Sequence, residues 1–229
     1  IDINANITVE GSFTAIAHEA TAKAGNRDGG DATFNSNGFT INTADASGSS
    51  HNISISYQDG PGSGNPPTGA MVIGTLNAGS SGTITLNPGS SETVSVDAIT
   101  NASALTLTQS NGATFEGAVT AGTITLTDTT NNADIVFQGN VTATTLTTAS
   151  QGYDLSFTGG STTITNAVTF QNTGTLNLGD ASGDTFTFNG GLTENTSGTV
   201  TLEGTIASSN DAISFGNVTA GGTFTIDTN

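Results

Sequence analysis

Residues 113–127 read Ala-Thr-Phe-Glu-Gly-Ala-Val-Thr-Ala-Gly-Thr-Ile-Thr-Leu-Thr, and residues 135–147 read Ile-Val-Phe-Gln-Gly-Asn-Val-Thr-Ala-Thr-Thr-Leu-Thr. Phe115, Gly117, Val119, Ala121 and Ile124 return as Phe137, Gly139, Val141, Ala143 and Leu146, each 22 residues on. A fixed step of this size, built from short β-prone runs, is the signature of a solenoid coil. One coil cannot bury its apolar face alone, but it can when stacked on the next.

The pattern extends in both directions. Val96, Leu105 and Leu107 repeat the spacing of Phe115, Ile124 and Leu126, and Phe157 follows Phe137 by 20 residues. Phe188-Asn-Gly190-Gly-Leu192-Thr193 and Phe215-Gly-Asn-Val218 read as later copies of the Phe-x-Gly-x-aliphatic core. The long gaps from 157 to 188 and from 188 to 215 are then expected to hold extra strand or loop.

Upstream, Ile1–Val9 and Phe13–Ile16 alternate as two short strands, with Ala15–Ala24 as an alternative short helix. Thr33–Thr43 reads as a strand pair around Asn37-Gly38, with Phe34, Phe39 and Ile41 inward. Ile53, Ile55 and Tyr57 alternate in the next strand. Three of the four prolines fall in 59–69. Proline donates no ladder hydrogen bond, so this segment is expected to protrude as a loop.

The expectation is therefore an all-β, parallel β-solenoid of about 22 residues per coil. Residues 1–92 form an irregular N-terminal part with the Pro/Gly-rich loop at 59–69, and 93–229 form more regular coils. Roughly ten coils follow from the length. Glycine, serine and threonine abound and are weak helix formers. The competing fold, a β-sandwich, does not call for a 22-residue step.

Composition narrows the function. There are 19 acidic and 2 basic residues, for a net charge of −17, yet only 9% of residues are charged. Nucleic acids and anionic membranes need a basic footprint, so neither is an expected partner. No apolar run reaches the length of a membrane-spanning helix, and no membrane insertion is expected. There is no cysteine to staple the fold. The chain opens at Ile1 without a leader, as a processed product or an excerpt of a longer protein would.

Aspartates cluster in turns. Asp28 and Asp31 flank one Gly turn, and Asp180 and Asp184 another. These four are the candidate Ca²⁺ ligands, since hard cations take carboxylate and carbonyl oxygens. Neither turn has the closing Glu of an EF-hand, and solvated turn aspartates are the plainer reading. No other cofactor is expected. His18 and His51 have no metal-ligand spacing.

An enzyme is not expected. No cysteine nucleophile and no Gly-x-Ser-x-Gly elbow occurs. A lyase acting on an acidic polymer would need more cations than Lys23 and Arg27. The chain has no Trp, and Tyr57 and Tyr153 are its only tyrosines, so sugar stacking is poorly served. Thr-x-Thr runs at 106–108, 123–127, 145–147 and 223–225 would stack into a hydroxyl ladder resembling the faces of ice-binding solenoids. The unequal coil lengths argue against a lattice match there.

The coils Phe-Glu-Gly-Ala-Val-Thr-Ala-Gly-Thr-Ile-Thr-Leu-Thr and Phe-Gln-Gly-Asn-Val-Thr-Ala-Thr-Thr-Leu-Thr resemble those of filamentous-haemagglutinin-like and autotransporter-passenger surface proteins of bacteria. The resemblance covers 93–229 well and 1–92 loosely. It implies a right-handed parallel β-helix, an extracellular or cell-surface location, and a role in adhesion or in a surface fibre. The expected function is a non-catalytic structural or adhesive segment of a secreted bacterial surface protein or extracellular filament. The alternative is a carbohydrate-binding or carbohydrate-cleaving β-helix. Expected partners are further copies of the chain or flanking coils stacked end to end, and host or matrix glycans.

Overall fold

The computed structural model describes residues 1–18, 33–44, 49–58, 69–196 and 198–229. Among them there is no helix, and every strand pairing is parallel. The fold is a parallel β-solenoid with three strand-bearing faces. Strand Met71–Asn87 shows how one coil is made. Met71 and Ile73 point inward on the first face, Leu76 and Ala78 on the second, and Ile84 and Leu86 on the third. Gly79, at φ 74, turns the corner between the second and third faces in a conformation that a side chain would disfavour.

Stacking is in register. On the first face the column runs Asp2, Asn35, Val72, Ser95, Thr114, Val136, Ser156, Asn177, Thr201, Thr219. From Val72 to Thr219 the steps are 23, 19, 22, 20, 21, 24 and 18 residues, giving about seven turns near the expected period. Two longer turns, of 33 and 37 residues, precede them. The roughly ten coils expected are thus about seven regular turns and two wide ones. The Pro/Gly-rich loop belongs to the second wide turn and, apart from Gly69, lies outside the described residues.

Of the two readings of the N-terminal stretch the structure takes the strands, and two other local expectations are corrected. Phe13–His18 is a strand paired with Ile53–Gln58, so the described part of Ala15–Ala24 is not helical. Phe34–Asn35 and Thr40–Asn42 do not pair with each other around Asn37-Gly38. Each lies parallel to Met71–Asn87, on successive faces, because the turn between them is a solenoid corner. Phe188 does not continue the Phe115–Phe137–Phe157 column. Leu178 and Leu202 take those places, and Phe188 stacks on Ile164 and Ala143 of the second face. The gaps after Phe157 therefore hold ordinary coils.

The core is a set of axial ladders. Phe115, Phe137 and Phe157 are fully buried, with ring centroids 4.7 and 5.0 Å apart and planes within 7° of parallel. Phe170 and Phe188 extend the cluster edge to face, at 6.4 and 6.1 Å. Glycines close the first corner. A Cβ on Gly139 would collide with the backbone of Gly117, and one on Gly159 with the backbone of Gly139. Neither has a positive φ, so these glycines serve close approach between coils.

Tyr153 is fully buried and accepts a hydrogen bond from the Ala149 amide at 3.2 Å. Burial pushes its hydroxyl up to about 12, partly opposed by hydrogen bonds from Ala149 and Thr148 that favour the ionised form. The folded value lies above the unfolded value of about 10, so the folded state holds the proton more tightly. That contribution to stability is full below about pH 10 and is lost as the pH rises towards about 12. At about 1.4 kcal/mol per tenfold change in proton affinity, the loss is roughly 2–3 kcal/mol. Burial also raises Tyr57. Urea midpoints followed through this window should therefore fall less steeply in Tyr153→Phe than in the parent, without becoming flat.

Candidate functional site

The residues singled out for metal binding divide. Asp28 and Asp31 lie outside the described residues. Asp184 is buried and caps its own turn, with Oδ2 accepting the Asp180 and Ala181 amides at 3.0 Å each. This is the Asx-type role that turns favour. Asp180 is exposed beside it. Among the described residues, no group of three or more His, Cys, Asp or Glu is placed to hold a metal ion.

Other carboxylates are also tied into the coils. Asp154 Oδ1 accepts the Thr175 amide at 2.5 Å, Asp97 Oδ2 the Gly38 amide at 3.2 Å, and Asp128 the Gln109 side-chain amide at 3.1 Å. Glu116 accepts the Ser95 hydroxyl at 2.6 Å. Asp134 and Asp154 stand on adjacent rungs of the first face, and Asp97 and Glu116 follow paired core residues at its other edge. The first face and its edges therefore carry a substantial share of the acidic surface.

Sequence reading missed Glu194. It sits at an inward position of the third face, paired with Phe170, and is 2% exposed. Its Oε1 accepts the Thr196 amide at 2.8 Å and the Thr196 hydroxyl at 2.6 Å, and its Oε2 the Gly216 amide at 3.2 Å. A buried carboxylate survives when amide and hydroxyl donors replace its water. It fastens one corner to the following coil. The alternation Leu192-Thr193-Glu194 was the available signal.

Both tyrosines are internal. Tyr57 accepts the Phe34 amide at 2.9 Å and donates to the Ala70 carbonyl at 3.1 Å. Neither ring forms an exposed platform. A shallow trough of about 320 Å³ runs along the corner between the second and third faces, lined by neutral groups including Asn101, Thr120, Thr142 and Thr144. A second hollow, of about 280 Å³, lies at the start of the first face, lined by Thr93, Ser95, Asn111, Thr114 and Asp134 among others.

The ends differ from the middle. In the last coil, Asn217–Asp227, the residues continuing the core columns are open: Val218 is 43% and Ile226 45% exposed, and Phe224 is only part-covered. The first coil is similar, with Ile3, Ile7 and Phe13 half-buried. Comparison with known protein families, curated proteins and solved structures finds no match.

Proposed function

We propose that the chain is a non-catalytic structural or adhesive segment of a secreted bacterial surface protein or extracellular filament, of the filamentous-haemagglutinin-like or autotransporter-passenger kind. The observation that carries this reading is the match between the two coil ends. The first coil offers Ile3, Ile7 and Phe13 on its three faces, and the last offers Val218, Phe224 and Ile213. Both follow the column order of the interior. An end-to-end contact would thus repeat the stacking already made within the chain, and a head-to-tail contact need not close. Acidic side chains on the flanks oppose lateral clumping.

Sedimentation and electron microscopy of the 229-residue chain test this. Rods that lengthen with concentration, and shorten when Val218 and Ile226 are both replaced by Lys, are the expected result. A chain that stays monomeric assigns the contact to flanking coils. Release of reducing ends from a polysaccharide panel would overturn the non-catalytic reading.

A further inference from the structure

The chain has three Asn-Gly pairs, at 37–38, 111–112 and 189–190. In such a pair the glycine nitrogen can approach and attack the preceding side-chain carbonyl, because no side chain shields it. The solenoid places the three pairs in different surroundings. Asn111 is tied down, its backbone amide donating to the Glu92 carbonyl at 2.7 Å and its Nδ2 to the Ser91 carbonyl at 3.5 Å. Asn189 is tied as well, its backbone amide donating to the Ile164 carbonyl at 2.9 Å and its Oδ1 accepting the Ser209 hydroxyl at 3.2 Å. Among the described residues, no carboxylate accepts the Gly112 or the Gly190 amide.

Asn37 and Gly38 differ on both counts. They are exposed at the corner between Phe34–Asn35 and Thr40–Asn42, and Gly38 stands at φ 75 with open space where a Cβ would lie. The turn itself is fixed. The Asn37 amide donates to Asn35 Oδ1 at 3.0 Å, and the Phe39 amide to the Ser36 carbonyl at 3.0 Å. The Asn37 side chain has no hydrogen-bond partner among the described residues, so nothing holds it away from Gly38. The Gly38 amide in turn donates to Asp97 Oδ2 at 3.2 Å. Asp97 belongs to Val94–Ser110, two coils on. The coil between them passes this corner as Gly74, with no side chain to block the reach.

We propose that Asn37 is a self-modification site, converted to aspartate and isoaspartate with Asp97 as the general base. A base must lie within hydrogen-bond reach of the proton it takes, and Asp97 already holds that proton's nitrogen. The Gly38 nitrogen bonds to Asn37 Cγ as its proton passes to Asp97. The Cγ–Nδ2 bond then breaks, and Nδ2 leaves as ammonia with the proton that Asp97 returns. Water opens the resulting cyclic imide at either carbonyl, giving aspartate or isoaspartate. The exposure of the corner admits the water and releases the ammonia. Either product sets a second carboxylate near Asp97 in place of a neutral amide, and like charges at close range repel. Isoaspartate also adds a methylene to the main chain between two strands that pair with Met71–Asn87. The modification would thus loosen the contact between a wide turn and the regular coils. The proposal does not depend on end-to-end stacking.

The test ages the folded full chain in mildly alkaline buffer and follows each Asn-Gly peptide by mass spectrometry, with isoaspartyl methyltransferase labelling to count isoaspartate. Asn37 should convert several-fold faster than Asn111 or Asn189. Asp97→Asn keeps an acceptor in the same place but removes the base. It should slow Asn37 several-fold and leave the other two sites unchanged. If that variant loses stability, ageing in urea makes the comparison another way. The unfolded chain has no Asp97 contact, so the three sites should then react at similar rates. Equal rates at the three sites in the folded chain, or an unslowed Asn37 in Asp97→Asn, would overturn the proposal. So would a lead of Asn37 that persists in urea.

Discussion

Phe137→Ala is expected to lower stability by about 3–5 kcal/mol, in line with the loss of other fully buried phenylalanines. Phe137 is the middle of three stacked rings, with Phe115 4.7 Å below and Phe157 5.0 Å above. Truncation removes both stacks, each worth about 0.5–1.5 kcal/mol beyond burial. It also leaves a cavity that cannot easily collapse, because the neighbouring coils are held at strand spacing by their own ladders. Equilibrium denaturation in guanidinium checks this, alongside near-ultraviolet circular dichroism of the ring stack. A loss under about 1 kcal/mol would contradict the buried stack. Because coils interact mainly with their neighbours, the transition should also broaden as the two halves uncouple.

A single methyl group should do comparable damage two residues away. In Gly139→Ala the new Cβ would overlap the carbonyl carbon and oxygen of Gly117 and lie 2.6 Å from the Ala118 amide nitrogen. All three are backbone atoms, so no rotamer change relieves the clash. The coils must part at this corner, and the Val119–Val141 rung beside it must give way. Overpacking of this type costs about 1–3 kcal/mol, and more where the backbone cannot shift. Gly183→Ala supplies the contrast. Its Cβ would meet nothing within 4 Å and its φ is not positive, so the substitution should be neutral or slightly stabilising. Melting curves of the two variants should separate clearly. Equal curves would mean that the Gly117–Gly139–Gly159 corner is not tightly packed.

The sequence announced the solenoid where repeat and register coincide. The 22-residue step between the similar segments 115–124 and 137–146 predicted the observed pairing of Phe115 with Phe137, Val119 with Val141 and Ile124 with Leu146. It failed at Phe188 because a core column accepts any apolar residue of suitable size. Leu178 satisfies the first face as well as a phenylalanine does, while Phe-x-Gly recurs at a corner of another face. Local motifs report inward and outward but not which face. The Asn37-Gly38 turn misled for a related reason. A tight glycine turn suits a hairpin and a solenoid corner equally, and only the partner strand distinguishes them. The outward column Thr85, Thr106, Thr125 and Thr147 was visible as scattered Thr-x-Thr runs, but its continuity depends on corners that absorb unequal steps of 21, 19 and 22 residues without shifting the strands. That compensation is not written in any single coil.

The in-register columns make length an adjustable quantity. Phe115, Phe137 and Phe157 occupy equivalent places, and the strands around them repeat the same contacts with the coil on either side. Removing or duplicating a segment such as 137–156 would therefore join surfaces that already match, changing the reach of the rod by one rung of about 4.8 Å. Unequal recombination within such a gene would yield folded products of graded size, with selection acting on how far the chain extends rather than on whether it folds.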